Sequence, residues 1–339
     1  MKLKALAPLA LVVALLSGCT QATTPPVTQG DGPAQIVIGT QNLADPESIA
    51  RAEGWLEEAF DAPVDIRVFQ SGRDVITAMA SGSIDFGLVG SVPAALAIGR
   101  DIGAQVFYIQ AVLGDVESLV VADGSGIQSA SDLPGRRIAT TFASTAHYSL
   151  LKYLENNNID AASVDLVDLP PSAAVAAFLR GDVEGVFTWE PQVTEMLNHG
   201  GTAITSARVV GDMGYPTFDV SIVRTAFAEA HPEIVAEYAR VMDRAVDLMR
   251  TDPNAAGAAL SSVLGLSAEQ AISQVQSSTW LSVEEQLGTE WFGSPSLALA
   301  LFDTAKFLYN QGEIAHTPQE SDFIESTNAR FLQLANEGR

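Results

Sequence analysis

One supersecondary unit occurs twice in the chain, and it decides the class of fold. Residues 64–88 and 164–189 each read as a strand, a small loop, an Ala-rich helix, a glycine, and then a strand that starts on an aliphatic–acid pair. The two strand starts are Gly82-Ser83-Ile84-Asp85 and Gly181-Asp182-Val183-Glu184, about 100 residues apart. Strand, helix and strand in succession make a mostly parallel sheet covered by helices. Two copies at this spacing imply two α/β lobes; the other reading is that parallel α/β units simply resemble one another.

The rest of the first half keeps the same rhythm. Residues 35–39 form an apolar strand, closed by Thr40-Gln41-Asn42. Asp45-Pro46-Glu47 reads as a helix start, with proline at the first helical position and acid in the first turn, and the pattern predicts a helix to about Phe60. Ser71-Gly72 and Gly90-Ser91 follow later strands as small polar loops. In parallel sheets ligands sit beyond the carboxyl ends of the strands, so these loops share one edge. Residues 131–156 add a strand, the loop Thr141–Ser144, and a helix from Thr145. The first turn of a helix has N–H groups without partners and suits an anion; Ser144 and Thr145 either cap those groups or lend hydroxyls to an oxyanion. Beyond a strand at 216–223, helical segments predominate to about residue 334, and such a tail is expected to pack back on the first lobe.

Composition limits the partners. The chain carries 18 basic and 41 acidic residues, a formal charge of −23. That excludes the basic face that nucleic acid requires. Any anion site must be local, built from N–H groups and hydroxyls. Lys2 and Lys4 precede an apolar run at 5–16, and Leu16-Ser17-Gly18-Cys19 follows. This is a signal peptide, and its end resembles a bacterial lipoprotein processing site with Cys19 lipidated; the alternatives are a plain secretory peptide or a short membrane anchor. Removing residues 1–18 takes away two lysines and lowers the charge to −25. Residues 20–33, rich in Thr, Pro, Gln and Gly, read as a flexible tether.

The four histidines are scattered, Cys19 is the only cysteine, and no Cys–His spacing suggests a metal site. No phosphate-loop, dinucleotide or Gly-x-Ser-x-Gly motif occurs. No cofactor is expected, and binding is favoured over catalysis. A zwitterion needs two unlike walls. Its anionic end fits Gln41, Gly90-Ser91 and the helix start at Thr145. Its cationic end needs a carboxylate or an aromatic face, for which Trp189 and Asp219 are candidates. Trp189 otherwise packs in the core. Asp219 interrupts an apolar strand and needs a partner, either a ligand ammonium or a structural arginine. His147 either donates to the ligand or braces its loop. Glu117 is either a second cation contact or a hydrogen-bond acceptor at a hinge.

The chain resembles the taurine branch of the nitrate/sulfonate/taurine solute-binding family of ABC importers. The motifs are Ser71-Gly72 with Ala80-Ser81-Gly82, Gly90-Ser91-Val92-Pro93, the run from Ser144 through Thr145, His147 and Tyr148 to Leu151, Trp189-x-Pro191, and Pro216-Thr217-Phe218-Asp219-Val220. The resemblance implies an α/β, type II-like two-lobe periplasmic binding protein, with two mixed sheets flanked by helices and a ligand cleft between the lobes. Lobe 1 would span 34–118 and 222–335, and lobe 2 would span 119–221. It implies a monomer, tethered at the extracytoplasmic face through Cys19, that hands a small sulfonate, taurine first, to permease and ATPase subunits. The implied site is Gln41, Ser71, Gly72, Gly90, Ser91, Glu117, Ser144, Thr145, His147, Tyr148, Trp189, Glu190 and Asp219, with the acid at Asp219 holding the amine. Four positions depart from that branch. Thr40 stands for an aromatic, Val92 for a serine, Glu190 for a small neutral residue and Ser221 for Trp. They point to a wider or differently lined pocket, with hypotaurine, other aminosulfonates and alkylsulfonates as further ligands.

Overall fold

The computed structural model describes residues 32–337. The expectations for the signal peptide, Cys19 and most of the tether lie outside the described residues. Ten strands form two five-stranded sheets. They are β1 (Ile36–Thr40), β2 (Val64–Val68), β3 (Phe86–Gly90), β4 (Ala104–Val112), β5 (Glu117–Ala122), β6 (Arg137–Thr140), β7 (Asp165–Asp168), β8 (Gly185–Trp189), β9 (Gly201–Ser206) and β10 (Phe218–Arg224). The first sheet has the order β2-β1-β3-β10-β4 and the second β7-β6-β8-β5-β9.

The two sheets share one plan. In each, the first three strands are parallel, and the fourth runs antiparallel to both neighbours. That fourth strand is the one that has crossed from the other lobe: β5 follows β4 of the first sheet, and β10 follows β9 of the second. The connections are residues 113–116 and 213–217. The boundaries read from sequence, 118/119 and 221/222, instead cut through β5 and β10, because a strand's apolar pattern does not record which sheet it joins.

The repeated aliphatic–acid pair has the same task in both lobes. Asp85 accepts the Val37 N–H at 3.0 Å and the Arg224 guanidinium at 2.6 Å. Glu184 accepts the Arg137 N–H at 3.1 Å and the Arg136 guanidinium at 2.6 Å. Each acid ties the start of its sheet's central parallel strands to an arginine. Asp85 is buried, and Glu184 is about one-third exposed on its side chain.

Several segments depart from the sequence reading. The helix expected to reach Phe60 breaks at Gly54, whose φ of 69° is in the left-handed region, giving helices Pro46–Ala52 and Trp55–Ala59. Gly90-Ser91 is not a loop: β3 runs straight into helix Ser91–Gly99, which is buried throughout. Strand β9 and helices Gln192–Asn198, Ala207–Asp212 and Thr225–Ala230 carried no readable pattern. The edge position of β9 leaves Thr202 and Ala203 exposed, which erases the alternation.

The helical tail packs on the first sheet. Helix Pro232–Thr251 buries Val235, Tyr238, Ala239, Met242, Val246 and Met249 along one stripe. Tyr238 stacks on Phe86 with ring centroids 4.8 Å apart and meets Phe107 edge-on at 5.5 Å. Further on, Thr279 pairs with Val112 at the end of β4 through two backbone hydrogen bonds of 2.9 and 3.0 Å, and so brings residues 278–280 to the sheet edge. Among the described residues no helix is long and apolar enough to cross a membrane.

The two acids predict different costs. Asp85→Ala removes a buried carboxyl that serves both Arg224 and the Val37 N–H and should destabilise the protein by about 2 kcal/mol. Glu184→Ala, at a more exposed pair, should cost about 1 kcal/mol. Urea unfolding of both variants checks the order.

Candidate functional site

The carboxyl ends of the parallel strands and the incoming ends of the crossing strands meet at one cavity between the sheets. Its volume is about 40 Å³, against the roughly 10–15 Å³ needed by one water. The lining comes from both lobes and the tail: Gln41, Leu43, Ala44, Asp45, Gly72, Gly90, Pro93, Ala111, Leu113, Val116, Glu117, Ser144, Thr145, Trp189, Asp219, Ser278 and Trp280.

Helix starts supply part of the lining. Asp45 caps helix Pro46–Ala52, Gly72 opens helix Gly72–Ala80, Gly90 precedes helix Ser91–Gly99, and Ser144 caps helix Thr145–Asn156. Three of these helices have at least nine residues. Their unpartnered first-turn N–H groups and dipoles favour an anion. The glycines allow close approach. A Cβ on Gly90 would stand 2.8 Å from Thr145 Cγ2 across the cleft, and one on Gly72 would stand 2.7 Å from Pro93 Cγ.

Three acids line the cavity beside these helix starts, and Asp45 belongs to both groups. Asp219 opens β10 opposite Gly90 and Ala111. Glu117 opens β5 opposite Trp189. Glu117 Oε1 accepts the Thr145 hydroxyl at 2.6 Å, and its Oε2 is buried without a partner. Asp45 uses Oδ1 to cap Ser48 N–H at 2.7 Å, and its Oδ2 is likewise buried and unpartnered. No lysine, arginine or histidine lines the cavity. Burial therefore governs the titrations. It raises Glu117 to about 8, helped by the Asp219 charge and opposed by the Thr145 hydroxyl. It raises Asp219 to about 7. Burial, then the charges of Glu47 and Asp219, lift Asp45 well above the usual carboxylate range. Trp189 and Trp280 also line the cavity. Among the described residues no group of three or more His, Cys, Asp or Glu is arranged to hold a metal ion.

Eight of the residues expected from sequence line this cavity: Gln41, Gly72, Gly90, Glu117, Ser144, Thr145, Trp189 and Asp219. Five do not. The Ser71 hydroxyl is taken up in capping, accepting from Asp74 N–H and donating to the Asp74 carboxylate. The Ser91 hydroxyl accepts the Phe218 N–H at 3.3 Å. His147 accepts the Ala143 N–H at 3.3 Å and stacks on Phe142; burial lowers its pKa to about 4, so it is neutral. Tyr148 packs edge-on against Phe307 of the tail. Glu190 turns back to accept Thr194 N–H and hydroxyl at 3.0 and 2.8 Å, capping its own helix. None of the four departing positions, Thr40, Val92, Glu190 and Ser221, lines the cavity.

Sequence reading missed Asp45 and the loop carrying Ser278 and Trp280. Asp45 was legible only as a cap. It is a cap through one oxygen and a cavity wall through the other. At the rim, Arg73 of the first lobe and Asp168 of the second form an ion pair at 3.1 Å, each about two-fifths exposed.

A cleft of this kind between two such lobes defines a two-lobe solute-binding protein. The chain belongs to the family described as NMT1/THI5 like, which matches residues 46–256. It is 34% identical over 304 residues to the taurine-binding periplasmic protein of Escherichia coli (strain K12), covering 88% of this chain and 92% of that one. It is 31% identical over 255 residues to a putative aliphatic sulfonates-binding protein of Bacillus subtilis (strain 168), covering 72% and 73%. Its fold matches that of the alkanesulfonate-binding protein SsuA from Xanthomonas axonopodis pv. citri bound to MOPS. The TM-score is 0.74 with 22% identity, over 88% of this chain and 99% of that one.

The raised carboxyls carry a pH signature. In the unfolded chain Glu117 and Asp219 titrate near 4.5 and 3.8, and in the folded chain near 8 and 7. Between those values the folded state holds more protons. Its stability is therefore greatest at low pH on this account and is lost as pH rises to about 8, by a few kcal/mol in order of magnitude. Glu117→Gln keeps the Thr145 acceptor and removes the charge. Its melting temperature should fall less than that of the parent between pH 5 and pH 8. Parallel curves would assign the burial penalty elsewhere.

Proposed function

We propose that this chain is the substrate-binding component of an ABC importer and that its lobes close on taurine or a closely related small aminosulfonate. The observation that carries the reading is that carboxyls and helix starts line one small cavity side by side. Asp45, Glu117 and Asp219 offer carboxylates to an ammonium, with Trp189 and Trp280 alongside as cation–π faces. Gly72, Gly90, Ser144 and Thr145 offer helix starts to a sulfonate. The family relatives named for taurine and aliphatic sulfonates support the same ligand class.

Binding proceeds without bond breaking. The open cleft admits the ligand, and contacts to both lobes favour the closed form. The ammonium replaces protons on the acids, so part of its attraction to the site is spent on ionising them. Fixed helix dipoles hold the sulfonate with no basic side chain. Simple alkylsulfonates satisfy only the helix starts and leave the carboxyls unmatched, and nitrate does the same.

The same proposal covers delivery. A monomer lipidated at Cys19 and held by a tether on the extracytoplasmic face would hand its ligand to permease and ATPase subunits. Cys19→Ala should move the protein from the membrane fraction to the soluble fraction; unchanged membrane association would remove Cys19 from the account.

Calorimetry of the purified protein with taurine, ethanesulfonate and nitrate tests the ligand. Taurine should bind at least about tenfold more tightly than ethanesulfonate, the order of one charge-assisted hydrogen bond. Asp219→Asn should cost taurine about that factor and leave ethanesulfonate nearly unchanged. Equal affinity for both ligands in the parent would transfer the reading to alkylsulfonates.

A further inference from the structure

Next to the cavity lies a buried acid that is not part of its lining. Glu47 sits two residues beyond Asp45, in the first turn of helix Pro46–Ala52, and is fully buried. The Tyr238 hydroxyl, from the long tail helix, donates to Glu47 Oε2. Tyr238 has little freedom, because Phe86 and Phe107 hold its ring. Its hydroxyl is also supported by Ser221 of β10, and the Ser221 hydroxyl accepts from Gln110 Nε2 of β4 at 2.8 Å. A chain of buried polar groups thus runs from β4 through β10 and the tail to Glu47. It ends at Glu47, whose Oε1 is buried without a hydrogen-bond partner, as is Asp45 Oδ2 two residues before it.

The groups that act on this pair come from every side. Ser48 caps onto Asp45 from their shared helix, and Asp219 acts on Asp45 from β10. Arg51, one turn further along the helix, faces Glu47, as do Thr40 from the end of β1 and Tyr238. Glu117 stands on the same cavity from β5. Thr40 and Ser221, two of the departing positions, are therefore part of this network rather than of the pocket wall.

We propose that Glu47, held by Tyr238, is a positioning residue that controls the charge Asp45 presents to a ligand ammonium. Glu47 cannot reach the cavity, but it lies within the same helical turn as a carboxyl that does. A negative charge there opposes ionisation of Asp45 while the cavity is empty. Tyr238 and Thr40 favour the charged form of Glu47, against the burial that opposes it. The two carboxyls titrate as a pair. An arriving ammonium shifts that balance and drives the proton off. The consequence is specific to the ligand: an aminosulfonate releases protons on binding and an alkylsulfonate does not. The proposal rests on the amine-reading site described above.

The test has a ligand-free arm and a ligand arm. Carboxyl carbon NMR of the purified protein, labelled at aspartate, follows Asp45, whose signal is identified by its loss in Asp45→Asn. In Glu47→Gln the Asp45 midpoint should fall, on the order of one pH unit. In Tyr238→Phe it should move the same way by less. An unchanged midpoint in both variants overturns the proposal, and if Glu47→Gln does not fold, Tyr238→Phe alone decides. Taurine calorimetry in two buffers of different ionisation heat counts protons released. The count should drop in Glu47→Gln, with ethanesulfonate affinity unaltered. A merely structural role would weaken both ligands alike and leave the count unchanged, and that result also overturns it. A parent that binds ethanesulfonate but not taurine contradicts the amine-reading site instead, and the Asp45 titration then still decides whether Glu47 controls it.

Discussion

Burying a carboxylate away from water costs several kcal/mol unless something offsets it, and this protein places three around one small cavity without lining it with a basic side chain. Thr145 partly offsets the cost for Glu117, and Ser48 does so for Asp45. The remainder is carried by protons, as the raised titrations of all three acids indicate. Such an arrangement is a liability in a resting protein and an asset in one that must recognise a cation. Protons hold the empty site neutral, and an arriving cation takes their place.

The architecture makes that arrangement possible. Each lobe's fourth strand has crossed from the other lobe, so β5 and β10 both begin at the cleft. Glu117 is the first residue of β5 and Asp219 the second of β10, and both line the cavity. The parallel strands end at the same edge and hand over to helices whose first turns point at the cavity. Acid and helix start are therefore brought together by topology, not by a local motif. Asp85 and Glu184 brace the opposite ends of the two sheets, where their arginine pairs keep charge away from the site.

Much of this could be read from the chain, because local pattern and topology agree. The repeated aliphatic–acid pair gave two sheets, and an acid inside an apolar strand marked Asp219 as needing a partner. The small-residue strand ends marked Gly72, Gly90 and Ser144. The losses have physical reasons. Successive helical residues turn by about 100°, so when Thr145 faces the cavity, His147 points away; Tyr148, one turn further along the Thr145 side, is taken up by Phe307 of the tail. The Ser71 hydroxyl is claimed by its own helix start and the Ser91 hydroxyl by the Phe218 N–H of β10, which removed both. Trp280 reaches the site through a pairing of residues 112 and 279, a contact of long sequence separation with no local signal. The two oxygens of Asp45 do different work, and sequence records only that a cap is present.

The orientation of a bound ligand tests the account most directly. A crystal structure of the protein with taurine should place the nitrogen among Asp45, Glu117 and Asp219, and the sulfonate against Gly72, Gly90, Ser144 and Thr145. Taurine bound the other way round, or with its nitrogen in solvent, would contradict the claim that the buried carboxylates exist to receive an ammonium.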